Sequence, residues 1–185
     1  LISLRKSYNI IDLGANIGLF HRLLDLKRVN IAQYIAVEPN TANFQALYFN
    51  IFPRTSVIAK ALWVHDEGVW FSTGDHNHAN RVSSNGDIFV PTITLKDVLS
   101  QIDNKHPTIL KMDIEGAEYD ILKCSSEFIG NIALICIEFH NVSSESVLYD
   151  YINHHLTEFE CILEKKSSDM YLLTGKLRDG NVERV

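Results

Sequence analysis

Asp12-Leu13-Gly14-Ala15-Asn16-Ile17-Gly18 follows a short apolar run, Tyr8 to Ile11, and leads into a stretch of helical period. Glycines at 14 and 18 let a backbone turn sharply and approach a ligand with no Cβ in the way. Exposed amides at the start of the following helix are expected to face a carboxylate or phosphate. A dinucleotide fingerprint needs glycines at 14, 16 and 19, and Asn16 and Leu19 do not supply them. The loop is therefore read as a nucleoside-binding turn of another kind. Glu38 ends a second apolar run, Tyr34-Ile35-Ala36-Val37. A carboxylate there can accept both hydroxyls of a ribose. The competing reading of Glu38 is a cap for the helix that Asn40 begins.

A second set of charged residues sits at the ends of later apolar runs. Lys111-Met112-Asp113-Ile114-Glu115-Gly116-Ala117-Glu118 crosses from a strand into a helix, and Glu138-Phe139-His140 ends the next strand. In a doubly wound sheet both ends lie over the carboxyl edge, where ligands bind. His140 is the candidate general base, because an imidazole titrates near neutral pH without help. Asp113 is expected to orient the imidazole or the acceptor, and Glu118 to hold an acceptor hydroxyl. The blander readings are that His140 caps its strand and that Glu115 caps the following helix. Counting back from the strand ends sets Lys111 level with Glu138 and predicts a structural ion pair between them. Asp113, Glu118 and His140 have donor atoms that suit a divalent cation, but no His-x-x-x-His spacing supports one and no metal is assigned. His76 and His78 read as solvated loop residues, and His154 and His155 as helix-end cations.

The elements that must position these residues alternate. Apolar runs at Tyr8–Ile11, Tyr34–Val37, Thr55–Ala59, Pro107–Leu110 and Ile132–Phe139 read as strands. Between them, helical periods run from Ile17 to about Leu26, from the Asn40 cap with Phe44, Leu47 and Tyr48 on one face, and from the Thr94 cap with Asp97 at its third position. Ser146 to Leu156 is a further helix, with Val147, Leu148, Tyr151 and Ile152 on one face. The end reads as two strands, Glu160–Leu163 and Met170–Thr174, around a polar turn. Strands apolar throughout and spaced by helices predict an α/β, doubly wound, mostly parallel sheet of about seven strands, with an antiparallel strand near the C-terminus. Ser72 to Asp87 breaks the rhythm as a polar loop, flanked by Val69-Trp70-Phe71 and Ile88-Phe89-Val90 as an inserted hairpin.

At 185 residues, 46% hydrophobic and 22% charged, residues 1–185 read as a single domain with the inserted loop around 72–87. The first residue is Leu1, so an upstream segment is expected to be missing. A net charge of −6 argues against a nucleic-acid partner, and Lys27, Arg28, Lys165 and Lys166 are short solvated clusters. No run approaches the roughly 20 apolar residues that span a bilayer. Cys124, Cys136 and Cys161 form no paired motif, which favours a reducing, cytoplasmic setting, and Cys136 is read as a small core residue.

Over nearly its whole length the chain resembles the FkbM family of methyltransferases. The loop spacing matches their acidic-x-Gly-x-Gly-x-Gly pattern, with Asn16 in the middle place. Further matches are Ile11 to Gly18, Val37-Glu38-Pro39-Asn40 with Asn43-Phe44, Leu47 and Asn50, Lys60-Ala61-Leu62, and Thr94 to Asp97. The most distinctive piece is Leu110 to Glu118 with Ile121-Leu122-Lys123, followed by Ile137 to His140. Lys96 departs from the family's acidic residue at that place. The resemblance implies a class I, Rossmann-like fold, S-adenosylmethionine as methyl donor, and a hydroxyl on a glycan, polyketide or other small molecule as acceptor. With that donor, cofactor contacts are expected from Asp12, Gly14, Ala15, Asn16, Gly18, Glu38, Pro39, Ala61 and Asp113, while catalysis is assigned to His140, Asp113 and Glu118 from their places at the strand ends and the following helix. The alternatives are an NAD(P)-type oxidoreductase and a catalytically silent binding domain that keeps the fold.

Overall fold

The computed structural model describes residues 2–3, 5–51, 55–72, 81–82, 86–129 and 132–178. A strand with no polar side belongs in the middle of a sheet covered on both faces. β1 (Ser7–Leu13) is such a strand, buried from Tyr8 to Leu13. It lies between β2 (Asn30–Val37) and β9 (Thr108–Met112), parallel to both. Beyond β2 stands β3 (Thr55–Ile58), and beyond β9 stands β10 (Ile132–Phe139), both parallel. The last two strands, β11 (Phe159–Lys165) and β12 (Tyr171–Leu177), are an antiparallel pair, and β12 inserts against β10. The seven-stranded order is β11-β12-β10-β9-β1-β2-β3, so the expected mostly parallel, doubly wound sheet is the observed one.

Alternate residues of the central strands feed two cores. Ile11, Leu13, Ile35, Val37, Leu110 and Met112 pack with α3 (Leu95–Leu99), α4 (Glu118–Ile129) and α5 (Glu145–His155). Ile10, Tyr34, Ala36 and Ile109 pack with α1 (Leu19–Leu26) and α2 (Thr41–Asn50) through Leu24 and Leu47. α1 starts at Leu19 rather than Ile17 because Gly18, its cap, holds a left-handed φ of 88°. Asn40 caps α2 as expected, its Oδ1 accepting from the amides of Ala42 and Asn43. Tyr48 is exposed, against expectation, because α2 turns Leu47 alone fully into the core. Thr94 caps α3, accepting from the Asp97 amide and donating to its carboxylate.

Small strands flank the main sheet: β4 (Ala61–Leu62) pairs with β8 (Thr92–Ile93), and β5 (Val69–Ser72) with both β7 (Ile88–Val90) and β6 (Arg81–Val82). The inserted hairpin is thus present as β5 and β7. Most of the polar loop, including His76 and His78, lies outside the described residues. Among the described residues no helix is long and apolar enough to cross a membrane.

Candidate active site

β1 is where the strand order reverses, the point at which open α/β sheets form a crevice beyond the carboxyl ends of their strands. The register makes that edge level: Leu13 pairs with both Val37 and Met112, and Met112 pairs with Ile137. The residues immediately after these four are Gly14, Glu38, Asp113 and Glu138. Gly14 has a φ of 72°, and a Cβ on it would lie 1.8 Å from the Asp113 carbonyl oxygen. Only glycine fits there, and its close approach joins the ends of β1 and β9. The Asp113 amide donates to the Leu13 carbonyl at 3.0 Å, reinforcing the same junction.

The loop amides differ from the sequence expectation. Gly14 and Ala15 both donate to the Val37 carbonyl, Asn16 to Glu38 Oε2, Ile17 to Asn16 Oδ1 and Gly18 to the Ala15 carbonyl. Each bonds within the chain instead of facing a ligand, because the tight turn folds them back on β2 and on itself. What the loop offers a ligand is its close backbone surface.

A cleft of about 340 Å³ opens above this edge. Gly14, Asn16, Glu38 and Pro39 form one wall, and Ala61, Leu62, Trp63 and Phe71 give it an apolar slot. Asp113, Ile114, Glu115 and Ala117 form the opposite side. Glu38 is only 5% exposed. Its Oε2 accepts from Asn16 N at 2.8 Å, and its Oε1 from Asn40 N at 2.9 Å and Asn43 Nδ2 at 3.4 Å. Burial pushes its pKa up, while those three donors oppose the shift. A carboxylate has about four lone-pair sites, so Oε2 keeps room for one more donor from the cleft.

Beneath the loop, Asp12 is completely buried and accepts from Tyr34 Oη at 2.6 Å. Lys111 Nζ lies 3.4 Å from Asp12 Oδ1 and 3.5 Å from Asp113 Oδ2, and donates to the Gly14 carbonyl at 2.7 Å. Burial raises the Asp12 pKa and Lys111 opposes it; burial also raises that of the Tyr34 phenol. The expected Lys111–Glu138 pair is not formed. Lys111 is level with Cys136, so Glu138 stands two residues further along, beside Asp113, and Lys111 turns to Asp12. Cys136, read as a core residue, is half-buried.

The other end of the cleft is acidic around one imidazole. Glu118 Oε1 accepts from the amides of Ile114 and Gly116 at 3.2 and 3.0 Å and faces His140 Nδ1 at 3.1 Å. An ionised carboxylate only accepts, so Nδ1 carries the hydrogen and Nε2 points away from Glu118. Around Nε2 stand Glu115 Oε2 at 3.7 Å, Asp113 Oδ1 at 3.8 Å and Glu138 Oε1 at 3.9 Å. The bond to Glu118 and the charges of Glu118, Glu115 and Asp113 together outweigh burial and lift the His140 pKa to about 9. Burial and the Asp113 charge raise that of Glu138.

Among the sequence-derived candidates, Gly14, Asn16, Glu38, Pro39, Ala61 and Asp113 line the cleft. Asp12 and Ala15 lie in the interior below it, and Gly18 packs against Leu47 and Asn50. His140 and Glu118 reach the cleft through Asp113 and Glu115. Trp63, Phe71, Asn43 and Asp120 also line it without having been singled out as site residues. Asn43 follows the Asn40 cap and is within the quoted match; Trp63 and Phe71 carried no motif. Glu115, for which helix capping is the blander reading, has a backbone φ of 62° and lies 3.7 Å from His140 Nε2.

The methyltransferase FkbM domain model matches residues 12–164. The hexuronic acid methyltransferase AglP of Haloferax volcanii is 25% identical over 138 residues, 70% of this chain and 54% of the relative. The chain thus spans about half the length of that curated relative. The crystal structure of methyltransferase FkbM from Methylobacillus flagellatus KT superposes with a TM-score of 0.61 at 20% identity, covering 91% of this chain and 43% of that one. M. capricolum TrmK, solved with S-adenosyl-homocysteine, superposes with a TM-score of 0.51 at 14% identity, covering 97% of this chain and 65% of that one. Fold, glycine turn and matched domain agree: the chain belongs to the FkbM methyltransferase family.

Proposed function

We propose that the cleft binds S-adenosylmethionine and directs methyl transfer to an oxygen of a glycan or related polyhydroxylated small molecule. The observation that carries this reading is the level row Gly14, Glu38 and Asp113 across the point where strand order reverses. The residues fit a nucleoside: Gly14 leaves no Cβ in the cradle, Glu38 keeps an accepting lone pair for a ribose hydroxyl, and Leu62, Trp63 and Phe71 offer an apolar slot to a base. When bound, S-adenosylmethionine supplies a methyl group on a positively charged sulfur.

Transfer from such a donor is an in-line displacement, so the protein's main task is to hold two partners in line. Gly14, Asn16, Glu38, Pro39 and Ala61 hold the donor side in this reading, with Asp12 and Ala15 supporting the loop from below and Gly18 starting its helix. Asp113, Glu118 and His140 serve the acceptor side. A hydroxyl becomes a good nucleophile as its proton is taken. At neutral pH the His140 imidazole already holds its second proton. It therefore works at neutral pH with Asp113 to orient the acceptor, and serves as the base as pH rises toward 9. The relative that methylates hexuronic acid supports a sugar-type acceptor. The unpaired cysteines support a reducing, cytoplasmic setting.

Calorimetry with S-adenosylhomocysteine and with NAD tests the donor, and transfer of labelled methyl to glucuronate-containing oligosaccharides tests the acceptor. Saturable binding of S-adenosylhomocysteine but not NAD is expected, with label recovered in the sugar. Absence of S-adenosylhomocysteine binding would overturn the reading.

A further inference from the structure

We propose that Asp113, Glu115 and His140 form a binding site for one divalent cation that accepts mixed oxygen and imidazole donors. One ligand atom from each of these residues lies within 4.8 Å of the others. Metal–ligand bonds run to about 2.0–2.6 Å, so donors on opposite sides of an ion stand roughly 4–5 Å apart. Glu115 is half exposed, and its side chain can close the remaining gap.

An independent observation concerns the other ring nitrogen. Metal-binding histidines usually donate their second N–H to a carboxylate, which fixes the tautomer and aims the free lone pair. His140 Nδ1 does this to Glu118, a completely buried carboxylate that two backbone amides also hold in place. The lone pair of Nε2 is thereby aimed at Asp113 and Glu115, not at the protein interior. Glu118 was itself a candidate ligand by residue type, but its bonds make it the support and Glu115 the ligand.

Charge points the same way. Asp113, Glu115, Glu118 and Glu138 surround one imidazole, each within 3.9 Å of a ring nitrogen. Lys111 is shared among Asp12, the Gly14 carbonyl and Asp113 Oδ2 at 3.5 Å, which leaves Asp113 Oδ1 turned to His140. An ion on Nε2 takes the place of the imidazole's second proton and balances more of that charge than the proton does. Its position on the Asp113 side of the cleft lets it hold and polarise an acceptor oxygen. That chemical use rests on the methyl-transfer reading; binding of the ion does not.

The test is calorimetry of the EDTA-treated full chain with MnCl2 and, separately, ZnCl2, with thermal denaturation in parallel. One Mn2+ per chain is expected, with a rise in Tm on loading. Glu115→Gln, a half-exposed change that spares the fold, should weaken Mn2+ binding about 10–100-fold, and Asp113→Asn likewise. Glu160→Gln, an exposed change at the opposite end of the β11–β12 hairpin, level with Leu134 rather than Glu138, should bind as the parent chain does. No binding of either ion below about 1 mM, weaker than even the loosest common protein sites, would overturn the site. So would binding that Glu115→Gln and Asp113→Asn leave unchanged. Neither readout involves a methyl donor, so loss of the ion site and loss of donor binding are separate results.

Discussion

His140 Nδ1 and Glu118 Oε1 are 3.1 Å apart, and the glutamate has no exposure to solvent. The same oxygen receives the amides of Ile114 and Gly116, so the pair ties the end of β10 to the turn between β9 and α4. Breaking a buried pair from one side costs about 3–5 kcal/mol, because the remaining group is left uncompensated. Glu118→Ala also strands two amides. We expect it to lose stability on that scale in urea denaturation, with Glu118→Gln losing less because it keeps an accepting oxygen. Equal stability of Glu118→Ala and the parent chain would contradict this role.

How much of this was legible beforehand depended on the kind of information each feature needs. The central strands declared themselves because both faces are covered and every residue from Tyr8 to Leu13 is buried. β4 and β8 did not, since two-residue strands carry no period. Glu38 could be placed from its position after an apolar run. The Lys111–Glu138 expectation failed because it assumed that β9 and β10 end level, whereas their hydrogen-bond register sets Met112 opposite Ile137. Register is a property of two strands together, and neither segment states it alone. The placing of Glu115 depends on conformation in a similar way: its φ is positive, in a turn whose Ile114 and Gly116 amides are held by Glu118 Oε1.

Gly14 supplies a second prediction. An added Cβ there meets the Asp113 carbonyl at 1.8 Å, on a backbone already at a φ of 72°. A left-handed conformation costs an L residue about 1–2 kcal/mol, and overpacking about 1–3 more. Gly14→Ala should therefore lower stability by roughly 2–5 kcal/mol and weaken S-adenosylhomocysteine binding, since the ends of β1 and β9 must part. Thermal denaturation and calorimetry on the same preparation check both. A variant with parental Tm would show that the loop tolerates the shift.

A third concerns pH. Burial raises the Asp12 pKa above its ordinary value, and Lys111 is the largest influence opposing it. A carboxyl whose pKa is higher in the folded chain than in the unfolded one favours folding below the unfolded value. That contribution is lost as pH rises through the folded value. Lys111→Met removes the opposing charge, so the loss should deepen and extend to higher pH. Urea denaturation at about pH 5 and about pH 8 should show a larger deficit for the variant at the higher pH. A deficit equal at both would mean that Lys111 acts through the Gly14 carbonyl and Asp113 and not through Asp12.

The last prediction separates the two duties of Glu38. Its carboxylate holds the amides of Asn16 and Asn40, which keeps the glycine loop and the start of α2 in register. In the proposed function it also accepts a ribose hydroxyl with the lone pair left on Oε2. Glu38→Ala abolishes both and should weaken S-adenosylhomocysteine binding by about 1–3 kcal/mol, the scale of charge-assisted hydrogen bonds. Its stability should fall as well, because two amides lose their acceptor near the core. Glu38→Gln keeps one accepting oxygen but loses the charge and one acceptor. If the ribose contact matters, this variant should lose binding more than stability, and adenosine should discriminate parent from variant less once its ribose hydroxyls are absent, as in dideoxyadenosine. Calorimetry with both nucleosides reads this directly. Parental affinity for S-adenosylhomocysteine in Glu38→Ala would leave Glu38 as a cap for loop and helix alone.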